Sequence, residues 1–330
     1  MQSRHLAFLT GSLRHALVGT VLAWGLALAA PAQAQIKGLE IIAPANPGGG
    51  WDQTARAMQA ALQEAKLASG VQVQNIAGAG GTIGLAQFVT SKKRDGHALL
   101  VGGQVMLGAI ITNKSPVSMD DVTPLARLTG EYELIVVSVD SPIRSMQDLV
   151  TKLKADTGSV SWGGGSAGGT DHILAGLIAK AAGADLSKLN YIAHSGGGEA
   201  LASILGGHVT VGISGYEEFA PQIIAGKLRG IAISADDRLP GIDVPTLKEQ
   251  GIDVSLVNWR GVMTGSQVRD ADRKALTAAI DSMVKSPAWQ DTLKKRGWLD
   301  MYQPADEFAA FLKQDRTKIE TTLKDIGLVK

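Results

Sequence analysis

Four glycine-rich loops carry the residues best suited to chemistry in this sequence: Pro47-Gly48-Gly49-Gly50-Trp51-Asp52, Gly78-Ala79-Gly80-Gly81-Thr82, Gly163 through Thr170, and Ser195-Gly196-Gly197-Gly198-Glu199. Each stands between a strand-like run and the first turn of a helical pattern, where backbone N–H groups lack intrahelical partners and the helix dipole is positive. Such loops bind anions. Glycine lets the backbone approach a ligand, and Thr82, Ser166, Thr170 and Ser195 add hydroxyl donors. Taken singly, these residues more often only form turns and caps, but four loops in matching positions argue for a shared site. No Lys or Arg lies within them, so a carboxylate would be held by neutral dipoles, without the desolvation cost of a buried ion pair. Asp52 reads as a helix cap paired with Arg56 one turn on, with contact to a ligand hydroxyl, amine or bridging water as the alternative. Glu199 opens its helix in the same way. Trp51 and Trp259 divide between cleft wall and packing, whereas Trp162, in a strand, reads as core.

Other chemistries fit less well. Gly164-Gly165-Ser166-Ala167-Gly168 matches the G-x-S-x-G elbow of serine hydrolases, yet of the later histidines, His172, His194 and His208, none sits in a recognisable late loop. A serine hydrolase using Ser166 is therefore a remote alternative, and no catalytic residue is assigned. Gly78-Ala79-Gly80-Gly81-Thr82-Ile83-Gly84 approaches a dinucleotide fingerprint, but Ile83 occupies the third glycine's place and the next strand ends in Gly102-Gly103-Gln104 without a ribose-binding acid. The histidines are scattered and cysteine is absent, so neither a metal site nor any cofactor is expected.

The elements that must position these loops alternate. Ile36 to Ala43, Val71 to Ile76 and Ala98 to Val101 read as strands, with helices over Trp51 to Lys66 and Thr82 to Ser91. The arrangement returns in the second half, with strands at Leu134 to Val139, Ser159 to Trp162, Leu189 to Ala193, Val209 to Ile213 and Gly230 to Ser234. Helices there cover Met146 to Lys154, Thr170 to Ala182 and Glu199 to Leu205. From Asp270 the chain reads as mostly helical. This alternation predicts an α/β fold of two lobes, each a mainly parallel sheet flanked by helices, with a ligand cleft outside the carboxyl ends of the strands. The expected division is 35–136 for the first part of lobe 1, 137–256 for lobe 2, and 257–330 for the return to lobe 1.

Residues 1–34 read differently. Arg4 and Arg14, an apolar stretch from Ala16 to Ala30, and Ala32 and Ala34 at small-x-small spacing make a secretory signal, cleaved between Ala34 and Gln35. Its apolar run falls short of the roughly 20 residues of a spanning helix. The 330-residue chain has 32 Lys plus Arg against 31 Asp plus Glu, which leaves no basic surplus for a nucleic-acid surface. Export to a periplasm follows, where small solutes are the expected partners.

Beyond these readings, Ala45-Asn46-Pro47-Gly48-Gly49-Gly50-Trp51-Asp52-Gln53-Thr54-Ala55-Arg56, Gly78 to Gly84, and Gly164 through His172 resemble the receptors of tripartite tricarboxylate transporters, the TctC or Bug family. Ser195-Gly196-Gly197-Gly198-Glu199-Ala200 and Asn258-Trp259-Arg260-Gly261 extend the resemblance over nearly the whole exported chain. It implies a periplasmic, two-lobed, type II-like (Venus flytrap) binding protein, a monomer. The implied function is to close on an organic acid, a tricarboxylate or dicarboxylate such as citrate, and to hand it to the membrane permease subunits. A ligand-presenting adaptor for a sensor kinase is the alternative that the family also contains. In the family, two first-lobe loops hold one carboxylate through backbone amides and ordered water. By motif these correspond to Gly48, Gly49, Gly50, Trp51 and Asp52, and to Gly78, Ala79, Gly80, Gly81 and Thr82. The second-lobe segments that select the rest of the ligand correspond to Ser166, Ala167, Gly168, Gly169 and Thr170, and to Ser195, Gly196 and Gly197. Ser214 and Trp259 complete the expected ligand-binding set.

Overall fold

Strand and helix alternate as the breakers require. The computed structural model describes residues 35–330, and the expected export signal over 1–34 lies outside the described residues. The first part comprises β1 (Ile36–Lys37), β2 (Glu40–Ala43), α1 (Gly50–Glu64), β3 (Ala68–Ser69), β4 (Gln72–Asn75), α2 (Thr82–Ser91), β5 (Ala98–Gly103) and α3 (Gln104–Thr112). The long β6 (Val122–Ser138) follows. Then come α4 (Met146–Ala155), β7 (Ser161–Gly164), α5 (Thr170–Ala181), β8 (Asn190–Ala193), α6 (Gly197–Leu205), β9 (Val211–Gly215), α7 (Tyr216–Ile224) and β10 (Leu228–Ile233). The chain ends with β11 (Val257–Gly265), α8 (Asp270–Val284), α9 (Pro287–Arg296), β12 (Leu299–Pro304) and α10 (Ala305–Asp325).

Two parallel groups, β4-β2-β5 and β8-β7-β9, flank a pair of long antiparallel strands, β11 and β6, in one continuous sheet. The sheets are therefore parallel where βα units repeat and antiparallel where the chain crosses between halves. The switch falls inside β6: Val122 to Tyr132 pair with β11, whereas Glu133 to Val136 pair with β9. It lies a few residues before the expected division at 136/137. β12, in a stretch read as mostly helical, adds to β6 across Gly130 and Thr129.

Local chemistry explains the helix ends. Ser145 caps α4 in a reciprocal box with Asp148. Ser286 caps α9, Pro287 fills its first turn and Gly297 ends it in the left-handed conformation at φ 64°. α1 turns Ala55, Met58 and Leu62 onto the sheet, while β5, covered on both faces, is buried at every position. Burying these apolar side chains is the main driving force that holds the loops at the strand ends. Among the described residues no helix is long and apolar enough to cross a membrane.

Candidate functional site

The four glycine-rich loops converge on one cleft, the concave kind of surface that small-molecule sites use. Of the expected residues, Gly49, Gly50, Trp51, Gly78, Gly80, Gly81, Ser166, Gly169, Thr170, Ser195, Gly196, Gly197 and Ser214 line it. The structure brings these together from β2–α1, β4–α2, β7–α5, β8–α6 and the end of β9.

At the β4–α2 turn, Gly80 (φ 65°) and Gly81 (φ 87°) take left-handed backbone, and no side chain caps α2. The Gly81 amide donates to the Gly78 carbonyl at 2.9 Å and the Thr82 amide to that of Ala79, so the part of this turn turned to the cleft is Gly78, Gly80 and Gly81. At β2–α1, Gly50 lies so close to the Arg260 guanidinium that a side chain there would overlap it.

The other expected residues lie off the cleft. Gly48, Ala79 and Ala167 are exposed and are not among the residues that line the cleft. Gly168 packs on Thr112 of α3. The Thr82 hydroxyl donates to the Ala79 carbonyl at 2.9 Å. Asp52, in the first turn of α1 behind the N-cap Gly49, is spent on its neighbours: it accepts from the Gly48 amide at 2.8 Å, from Arg56 at 3.0 Å and from Asn75 at 2.9 Å. Burial works to raise its carboxyl, but Arg56, the Gly48 amide and Asn75 together hold it below the ordinary aspartate value. Glu199 accepts from the Ser195 amide at 3.0 Å and from the Asn46 amide group at 3.0 Å, which ties the first loop to α6.

Trp259 belongs to the core. It is 2% exposed, its Nε1 donates to Asp315 at 2.7 Å, and its ring meets Phe308 and Phe311 edge-on. Trp259→Phe is expected to cost about 2 kcal/mol, because the buried Asp315 loses its donor, and to leave ligand affinity unchanged. Urea unfolding and ligand titration of the variant check this; a loss of affinity without a loss of stability would return Trp259 to the cleft.

Several cleft residues were not anticipated. Asn258 and Arg260 come from β11, Asp171 from the first turn of α5 and Glu218 from that of α7. Arg260 forms a buried ion pair with Glu131; burial and the Arg296 charge lower its guanidinium to about 9, still cationic at neutral pH. Asp171 accepts from the Gly165 amide at 2.6 Å, and burial lifts its carboxyl to about 6. Glu218 accepts from the Ser214 hydroxyl, and burial lifts it to about 7. A signal existed for three of these: Asp171 follows Thr170 in the third loop, and Asn258 and Arg260 flank Trp259. For Glu218 there was none, since Pro221 hid α7.

Ser166 lacks the surroundings of a nucleophile. The His172 Nδ1 accepts from the Gly168 amide at 3.1 Å, its ring stacks on Tyr191 at 4.0 Å, and burial lowers it to about 4. That imidazole is neutral, with Nδ1 engaged, and is not turned to the Ser166 hydroxyl.

Comparison with known proteins places this geometry. The profile of the tripartite tricarboxylate transporter family receptors, TctC, matches residues 54–328. BugT of Bordetella pertussis is 27% identical, over 94% of this chain and 97% of its own. Among solved structures, MatC of Rhodopseudomonas palustris with bound malate has a TM-score of 0.78 at 22% identity, covering 87% of this chain and 99% of that one. An R. palustris protein with adipate, Rpa4515, has a TM-score of 0.80 at 19% identity, covering 88% and 97%.

Proposed function

Because the chain belongs to the receptors of the tripartite tricarboxylate transporter family, a family of solute-binding proteins and not of enzymes, we propose that it captures an organic carboxylate in the cleft and delivers it to the transporter's membrane permease. The export signal read over residues 1–34 would put this capture in the periplasm. The observation that carries the reading is the glycine turn that leads into α2, whose Gly78, Gly80 and Gly81 line the cleft, with no capping side chain and no acid in the helix's first turn. Such an end attracts an anion. Malate in MatC and adipate in Rpa4515 are carboxylates of the kind the cleft would take, and di- and tricarboxylates such as citrate are the first candidates. The closed state would be favoured by a ligand touching both halves of the cleft.

The residues in named roles are Gly78, Gly80 and Gly81 for the carboxylate, Gly49, Gly50 and Trp51 for the adjoining wall, and Ser166, Thr170, Ser195, Gly196, Gly197 and Ser214 for the remainder of the ligand. The chain from Gln35 to Lys330 is a compact unit and can be tested without the export signal. In a thermal-shift screen against mono-, di- and tricarboxylates, with sugars and nucleotides as controls, carboxylates alone should raise the melting temperature, by several degrees at saturating concentration. A response confined to a sugar or nucleotide would overturn the reading.

A further inference from the structure

The two walls of the cleft differ in charge. On the first, α2 carries no acid in its first turn, and the one acid of α1's first turn, Asp52, is consumed by Gly48, Arg56 and Asn75. On the second, every helix that opens onto the cleft already has its own acid at the N-terminus: Asp171 on α5, Glu199 on α6, and Glu217 and Glu218 on α7. Their dipoles are thereby offset. Two of these acids, Asp171 and Glu218, line the cleft itself. Asp171 lies against Gly164 and Gly165, and Glu218 against Gly197.

Behind them stands Glu133 of β6, fully buried, both of whose carboxyl oxygens lack a hydrogen-bond partner of good geometry among the described residues. Its electrostatic neighbours are the same Asp171 and Glu218, and burial together with those two charges raises it well above the ordinary glutamate value, with the Asn258 amide offsetting only part. The nearby cations are committed elsewhere: Arg260 to Glu131 and Arg296 to Glu217. His172, on α5 beside Asp171, is neutral, and the Tyr191 hydroxyl donates to the Gly165 carbonyl. Among the described residues, the second wall therefore holds three carboxyl groups and no cation left unpaired to match them.

Resting on the carboxylate reading above, we propose that the ligand is a carboxylate that also carries a protonated amino group, its carboxylate at the N-terminus of α2 and its ammonium between Asp171 and Glu218. A second carboxylate at that wall would meet like charges in a site of low dielectric. Donors are already built onto the acids in their ionised form, the Gly165 amide onto Asp171 and the Ser214 hydroxyl onto Glu218, so these groups present acceptors to the cleft. An ammonium supplies what they lack: three donors and a positive charge.

The test is calorimetric titration of the chain from Gln35 at pH 7.5 with the standard amino acids and with succinate, glutarate and citrate. At least one amino acid is expected to bind tenfold or more tighter than every acid lacking the amino group. Asp171→Asn and Glu218→Gln, each checked for folding by its melting temperature, should each weaken that ligand tenfold or more and leave succinate and citrate no weaker. Two variants keep the test alive should one fail to fold. Lowering the pH to 5.5 should weaken the amino acid, since the acids that hold it take up protons. Tight binding of succinate, glutarate or citrate that strengthens as the pH falls would overturn the inference and keep the carboxylate reading. A response to none of these compounds would overturn both.

Discussion

Gly81→Val is expected to abolish carboxylate binding, with at least a hundredfold loss in affinity, while the chain still folds. Gly81 sits at φ 87°, and a Cβ there would lie 2.6 and 2.9 Å from ring atoms of Trp51 and 3.0 Å from the Met106 Cε. Trp51 is 7% exposed and begins α1, so its ring has little room to yield. The left-handed backbone alone costs a β-branched residue about 1–2 kcal/mol. The clash adds about 1–3 kcal/mol of overpacking. The chain can relieve both only by moving the turn away from α1, which withdraws Gly80 and Gly81 from the cleft wall they form. Gly297→Ala is the control: it has the same backbone sign, φ 64°, with nothing within 4 Å of the added carbon, at the far end of α9. That variant should lose stability and keep its affinity. Calorimetric titration of both against the ligand found in the screen decides the matter; affinity within a few-fold of the parent in Gly81→Val would remove the β4–α2 turn from the site.

What could be read from residues alone follows from where the physical signals are local. α1, α2, α4 and α5 each begin at a glycine or serine breaker and carry apolar spacing at helical period, and the structure has them within a residue or two of those bounds. α3 was hidden because the sequence places only the end of a strand at Gly102-Gly103-Gln104, whereas Gly103 is an extended residue at φ 179° that runs straight into the helix. β6 was half hidden. Its first part, Val122 to Tyr132, interleaves Thr, Pro, Arg and Glu with its apolar residues, and those polar residues find partners only across the sheet: Arg127 on the Met301 carbonyl, Thr129 on that of Leu299, Glu131 on Arg260. Strand character settled by partners distant in sequence leaves no period to detect. The same distinction runs through the site. Its glycine turns are local and were legible, whereas the acids behind them are brought in by α7 and β6, and whether a carboxylate caps, pairs or faces a ligand depends on neighbours that no spacing reveals. Asp52 and Asp171 both follow a glycine-rich loop by one or two residues, yet one spends its oxygens on Arg56 and Asn75 and the other lines the cleft.

Arg260→Met should be the most damaging single change to stability. The Arg260 and Glu131 side chains are 4% and 3% exposed and pair with each other, so the substitution leaves a carboxylate buried without a counter-charge, at a cost of about 3–5 kcal/mol. Further contacts go with it: the guanidinium stacks 5.3 Å from the Trp298 ring and underlies Gly50 at the start of α1. Affinity should therefore fall along with stability, because the β2–α1 loop loses its support. Adding Glu131→Gln to the first change removes the stranded charge and should recover most of the stability, whereas affinity should stay low, since the support under Gly50 is still missing. Acidity separates the two effects further. In Arg260→Met the penalty comes from the buried Glu131 carboxylate without its counter-charge, so it is full where that carboxyl is ionised, at neutral pH, and fades as acid protonates it. The stability gap between the single variant and the parent should then narrow on going from pH 7 to pH 4, while the gap for the double variant stays nearly level. Urea unfolding followed by tryptophan fluorescence at the two pH values measures both gaps; equal losses for the single and double variants would mean that packing, and not the stranded charge, sets the cost.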